Sequence, residues 1–156
     1  MADQPPRLPQ RRGRTRPGIG RAVAHLLAAN GAAVVVSDLK QDAVDKVVEG
    51  IKAAGGTAAA HVGDVSQPES AFEAVKAAGK LAPLKIAVNN AGIGGAIAPL
   101  ADYPLDSWDK VIAVNLNAVM YGMRAQLPAM VAAGGARSST WRRSSVVWGF
   151  PCRRPM

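Results

Sequence analysis

The chain has 156 residues, is 49% hydrophobic and carries a formal charge of +8, enough length and apolar content for one domain with a core. No apolar run is long enough to span a bilayer, no charged-then-apolar leader suggests export, and the single cysteine, Cys152, excludes an internal disulfide and suits a reducing cytoplasm. The charge sits in two tails: residues 1–16 carry +4, 136–156 carry +5 and 17–135 carry −1. Without aromatic stacking platforms or a reading motif, those tails argue against a nucleic-acid reader.

Residues 1–17 are rich in proline and arginine, lack hydrophobic periodicity and read as a disordered basic tail. From Gly18 onward Ile19, Val23, Leu26 and Leu27 recur at helical spacing, with Asn30-Gly31 as the expected C-cap. Ala33 to Ser37 is short, apolar and β-branched, as a strand buried on both faces should be. Gln41 to Ala54 predicts a helix with Val44, Val47, Val48 and Ile51 on one face, ended by Gly55-Gly56. Thr57 to Val62 is a weaker strand, because alanine is a poor strand former. A helix follows from Gln67-Pro68-Glu69 to about Lys80, then a strand over Leu84 to Val88. The last element is a long amphipathic helix from Ser107 to Ala133, opened by Asp106 or Ser107 and disturbed near Pro128. Strands alternating with helices predict a parallel α/β sheet, with ligands bound beyond the C-terminal strand ends.

Three features cluster at those ends. Gly18-Ile19-Gly20 opens the first helix, where small residues let backbone N–H groups approach a pyrophosphate. Asp38 stands 18 residues after Gly20, ending the Val34–Val36 strand. A carboxylate there accepts the ribose hydroxyls of NAD and repels the 2′-phosphate of NADP; equally, it could cap the following helix. Asn89-Asn90-Ala91-Gly92 closes the Leu84–Val88 strand, with small residues that let the backbone pass close to a ligand.

The tetrapeptide, in this order and spacing with the others over residues 18–135, resembles the signature of short-chain dehydrogenases/reductases. The resemblance implies a Rossmann-like, doubly wound parallel sheet and an NAD-preferring oxidoreductase acting on a secondary alcohol or ketone. It assigns Gly18, Ile19, Gly20, Asp38, Asn90, Ala91 and Gly92 to the cofactor. It also makes Asp64-Val65 the pair that holds the adenine, although an ordinary strand-ending turn would look the same. Asn115 takes the place of the catalytic-tetrad asparagine, which holds a water in the proton relay, although an isolated helical asparagine is more often just solvated. His25 and His61 lack partners at metal-ligand spacing and read as structural. The family commonly forms tetramers through the long helix, and its substrate would be chosen by the region from Gly94 to Pro104.

Both ends depart from the pattern. In the family's opening T-G-x-x-x-G-x-G the threonine and first glycine positions here hold Gly13 and Arg14. The first strand would fall on Pro6 to Arg12, whose prolines and arginines do not suit a central strand. Its loss should split the sheet into two poorly connected pieces. Residues 136–156 are expected to form a basic non-family tail, supplying neither the serine-bearing strand nor Tyr-x-x-x-Lys. Read one base out of frame, the codons of 136–146 can spell G-A-I-V-N-M-A-S-I-L-G, which looks like that strand; sequencing the gene around Gly134 tests this. The expected protein is thus a short-chain dehydrogenase truncated and frame-shifted at both ends. Its rivals are a non-catalytic remnant and a basic nucleic-acid binder.

Overall fold

The computed structural model describes residues 18–135 and the backbone of 137–140. The 1–17 segment with Gly13 and Arg14, Ala136, and residues 141–156 with Cys152 lie outside the described residues.

The chain alternates helix and strand as the periodicity predicts. Helix α1 spans Ile19–Ala29, β1 Val34–Asp38, α2 Gln41–Ala53, β2 Ala58–Val62, α3 Pro68–Leu81 and β3 Ile86–Asn89. A short 3-10 turn, Leu100–Asp102, precedes α4, Leu105–Ile112. A π-helical turn at Ala113–Asn117 leads into α5, Ala118–Ala132, and β4 is Arg137–Thr140.

Helix ends follow local chemistry. After α1, Gly31 takes φ +84°, and the amides of Gly31 and Ala32 reach the carbonyls of Ala28 and Leu27 at 3.0 and 3.1 Å. Gly55, φ +81°, ends α2 in the same way, with Gly56 N bonded to Ile51 O at 3.0 Å. This is the left-handed stop that glycine makes without steric cost. Val44, Val47, Val48 and Ile51 are buried as the spacing predicts, and with Ala24, Ala28 and Ala58 they form the core of this half.

Val34 and Val36 pack against that core, so α1 and α2 cover one face of β1–β2. Ser37 therefore points to the other face, where its Oγ meets His61 Nδ1 at 3.0 Å and α3 packs. His61 is a side chain of this sheet–helix contact, with Nε2 3.8 Å from Glu73 on α3. Helix α3 also packs on α5, which covers β3. The arrangement is doubly wound.

Among the described residues the strands form two separate parallel pairs, β1 with β2 and β3 with β4. The first strand, expected to be lost, falls on residues 6–12, outside the described residues. Three expectations need correction. A strand does exist beyond residue 135: Arg137–Thr140 pairs with Ile86–Asn89, because a parallel partner satisfies the backbone of β3 whatever side chains it carries. The long helix begins at Leu105 with Pro104 as N-cap, not at Asp106 or Ser107. The Ser107 hydroxyl instead accepts Ala96 N at 2.9 Å, and Asp106 binds Lys110 at 3.2 Å, so neither is free to cap. Finally, the helix runs through Pro128 and departs from α geometry at Ala113–Asn117. A proline costs one backbone bond, but an inserted residue shifts the whole ladder.

Candidate functional site

The site is built along the edge where the strands end. Gly18 turns the chain into α1 with φ −57° and ψ 153°, and no side chain caps this helix. The first intrahelical bond runs from Ala22 N to Gly18 O at 3.1 Å. The earlier amides, at Ile19, Gly20 and Arg21, therefore face an outside acceptor at the positive end of the helix. Ile19 is 48% exposed there. Among the described residues nothing lies within 4 Å of where a Cβ on Gly18 would stand.

Gly20 is the tight point. A Cβ there would lie 2.8 Å from Asn90 Nδ2 and 3.2 Å from Asn90 Cγ. The start of α1 thus sits against the residue that follows β3.

Asp38 ends β1 with an exposed side chain. Its carbonyl accepts Gly63 N at 3.1 Å, tying the ends of β1 and β2 together. Its Oδ1 accepts Lys40 N at 3.1 Å, a local turn, while the N-cap of α2 is Lys40. Asp38 is therefore not the helix cap that its position also allowed. An anionic group fits the amides of α1, and a pair of hydroxyls fits the carboxylate.

Asp64 shapes the turn after β2. Its Oδ1 accepts Ser66 N at 2.9 Å and Ser66 Oγ at 2.8 Å, and its carbonyl accepts Gln67 N at 3.0 Å. The side chain thus builds the turn into α3, with Val65 half-buried beside it.

Asn90, Ala91 and Gly92 are exposed beyond β3. Asn115 lies in the π-turn and is half-buried rather than solvated. Its Oδ1 accepts Ile93 N at 2.9 Å and its Nδ2 donates to Ile93 O at 3.0 Å. One amide side chain thereby fixes both backbone groups of the residue after Gly92, whose own Cβ position is 3.4 Å from Asn115 Oδ1. Both ends of the amide are thus committed to the loop.

Sequence reading missed Asn89. It exchanges two hydrogen bonds with Gln126, Nδ2 to Oε1 at 3.1 Å and Nε2 to Oδ1 at 2.8 Å, across a half-buried contact with α5. A Cβ on Gly122 would come 2.5 Å from Asn89 Oδ1, so the pair depends on that glycine. The doublet itself carried the signal, since strand alternation sends Asn89 and Asn90 to opposite faces.

The sequence profile of the short chain dehydrogenase family matches residues 15–138. The chain is 45% identical over 119 residues to a cyclohexanol dehydrogenase from Acinetobacter sp. (strain SE19), a match covering 76% of this chain and 47% of that protein. It is 37% identical over 119 residues to dehydrogenase/reductase SDR family member 4 of Bos taurus, covering 76% and 43%. The chain spans about half the length of the curated relatives it matches. A 3-ketoacyl-ACP reductase from Sinorhizobium meliloti 1021 superposes with a TM-score of 0.76 and 37% identity, over 80% of this chain and 49% of that one. A metagenomic short-chain oxidoreductase in complex with NADP gives 0.74 and 34%, over 80% and 57%. A 7α-hydroxysteroid dehydrogenase complexed with NADH and 7-oxo glycochenodeoxycholic acid gives 0.73 and 34%, over 80% and 48%. With its strands and helices in the family's order, the chain belongs to the short-chain dehydrogenase family.

Proposed function

We propose that the protein is the dinucleotide-holding half of an NAD-dependent oxidoreductase that passes a hydride between nicotinamide and a secondary alcohol or ketone. The observation that carries this reading is the contact of Gly20 with Asn90 at the open N-terminus of α1. Backbone amides there take the pyrophosphate, and the small residues keep its approach clear. Asp38 accepts the ribose hydroxyls, Asn90 and Gly92 line the passage, and Asn115 holds the Ile93 loop beside it. The nicotinamide supplies the hydride chemistry. A relative named for cyclohexanol, a secondary alcohol, and a solved relative carrying NADH support the class of substrate and cofactor.

By itself this chain should turn over little. Its two tyrosines, Tyr103 and Tyr121, are followed four residues later by Ser107 and Ala125, so neither makes Tyr-x-x-x-Lys. Positioned acid–base groups contribute about 10²–10⁴-fold to such reactions.

Cofactor preference is the direct test. A thermal-shift titration of the purified chain should show stabilisation by NAD and little by NADP, with Asp38→Asn weakening NAD and narrowing the gap about tenfold or more. Equal response of the native chain to both cofactors would remove Asp38 from the adenosine ribose. No response to either would end the nucleotide reading.

We also propose self-association through the long helix. Trp108, Leu116, Met120, Met123, Leu127 and Val131 are 37–72% exposed and recur at helical spacing along α4 and α5. Sedimentation should show an oligomer, with a tetramer expected, that Leu127→Lys shifts toward the monomer. A native chain that sediments as a monomer at all concentrations would refute it.

A further inference from the structure

Nothing in the sequence of β4 specifies its register against β3. Strand register is ordinarily fixed by an apolar pattern that must face the core, or by the geometry of the connecting turn. Arg137-Ser138-Ser139-Thr140 carries no apolar residue. Yet Ile86, Ala87, Val88 and Asn89 pair in order with Arg137, Ser138, Ser139 and Thr140. The turn must therefore supply the register, and residues 133–136 are all that separates α5 from β4.

That turn is held from the β3 side. Gly134 N and Gly135 N donate to Val131 O and Met130 O, each at 3.0 Å, with φ +83° and +90° winding the chain past the end of α5. The carbonyls of Ala133 and Gly135 both accept from Lys85 Nζ, the second at 3.4 Å. Lys85 stands immediately before β3, and a Cβ on Gly134 would lie 3.8 Å from the same ammonium. Helix α5 has no basic residue in its own last turn, so Lys85 is also the cation that meets its negative end.

These contacts close a ring. The backbone of Lys85 leads into Ile86, which pairs with Arg137, while its ammonium grips the carbonyls two and four residues before Arg137. Sliding β4 by one residue would draw those carbonyls about 3.3 Å along the strand and break both bonds. We infer that Lys85 is the positioning residue that sets the register of β4, and with it which residue stands opposite Asn89. In the register observed that residue is Thr140; a slip of one would put every residue of β4 on the other face. Asn89 leads directly into Asn90, so β4 is placed along the same edge as the Gly20–Asn90 contact. The clamp itself does not depend on whether a nucleotide binds.

Amide NMR on the full chain tests this, with cross-strand contacts reporting register and hydrogen exchange reporting strength. In Lys85→Met the contacts of Ile86–Asn89 with Arg137–Thr140 should be lost or shifted by one residue. Exchange at the β4 amides should quicken about tenfold or more, as expected for losing hydrogen bonds from a charged donor. Lys85→Arg, which keeps the charge and the donors, should restore the native contacts. The amides of Val34–Val36 in the β1–β2 half should be unaffected throughout. Native cross-strand contacts in Lys85→Met would overturn the proposal, as would failure of Lys85→Arg to restore them. So would loss of protection at Val34–Val36 together with β4, since Lys85 would then support the whole fold rather than one register.

Discussion

Ile51→Ala should cost about 2–5 kcal/mol, the range for truncating a buried aliphatic side chain. Ile51 is 1% exposed and packs within a core otherwise made of Ala24, Ala28, Val44, Val47, Val48 and Ala58. Such short side chains on rigid helices leave little that can relax into the cavity, which places the cost toward the upper end. The backbone bond from Gly56 N to Ile51 O is kept by alanine, so the cost is that of the side chain alone. Domains of this size hold about 5–15 kcal/mol in total, so one substitution removes a large share. Urea unfolding followed by circular dichroism measures it, with Val131→Ala as a control, since Val131 is 72% exposed. Because Gly20 and Asp38 belong to the same half, the NAD-induced shift should disappear with the fold. A loss below about 1 kcal/mol for Ile51→Ala would mean that the β1–β2 half is not held by this core.

How much of this was legible beforehand depends on where the determinants lie. The α2 face Val44, Val47, Val48 and Ile51 could be read because helix periodicity and burial are one constraint, and the structure buries all four. The parallel pairing of β1 with β2 was legible as well, while the strand expected to link them to β3 falls on residues 6–12, outside the described residues. The pairing of Arg137–Thr140 with β3 was not, because side chains such as Arg and Ser disguise a strand that backbone hydrogen bonding alone recruits. The site divides in the same way. Gly20 and Asn90, 70 residues apart in sequence, meet as the family pattern implies. Asp64, by contrast, spends its carboxylate on Ser66, a contact two residues away that sequence could offer only as an alternative. The two-bond clamp of Asn115 on Ile93 needed the π-turn, and an inserted helical residue leaves no mark in hydrophobic periodicity.

The sharpest consequence for binding concerns Gly20→Val. At this position the first added carbon already falls 2.8 Å from Asn90 Nδ2, and valine's two methyl groups extend further. Asn90 is exposed and can turn away, so the fold should survive; the dinucleotide, which needs the same space, cannot. Losing two charge-assisted bonds from the α1 amides, at about 1.5–3 kcal/mol each, predicts a hundredfold or greater rise in Kd for NAD. Calorimetric titration reads this directly, while circular dichroism confirms that the helices remain. Gly79→Ala is the matching control, because among the described residues nothing lies within 4 Å of its Cβ position in α3; it should leave binding unchanged and favour the helix slightly. Adding Asn90→Ala to Gly20→Val separates two causes. If the valine acts only by displacing Asn90, the shorter side chain restores affinity. If it blocks the approach of the pyrophosphate to α1, affinity stays low, and that is the expected outcome. Native-like NAD binding by Gly20→Val alone would show that the nucleotide does not pass between α1 and the end of β3.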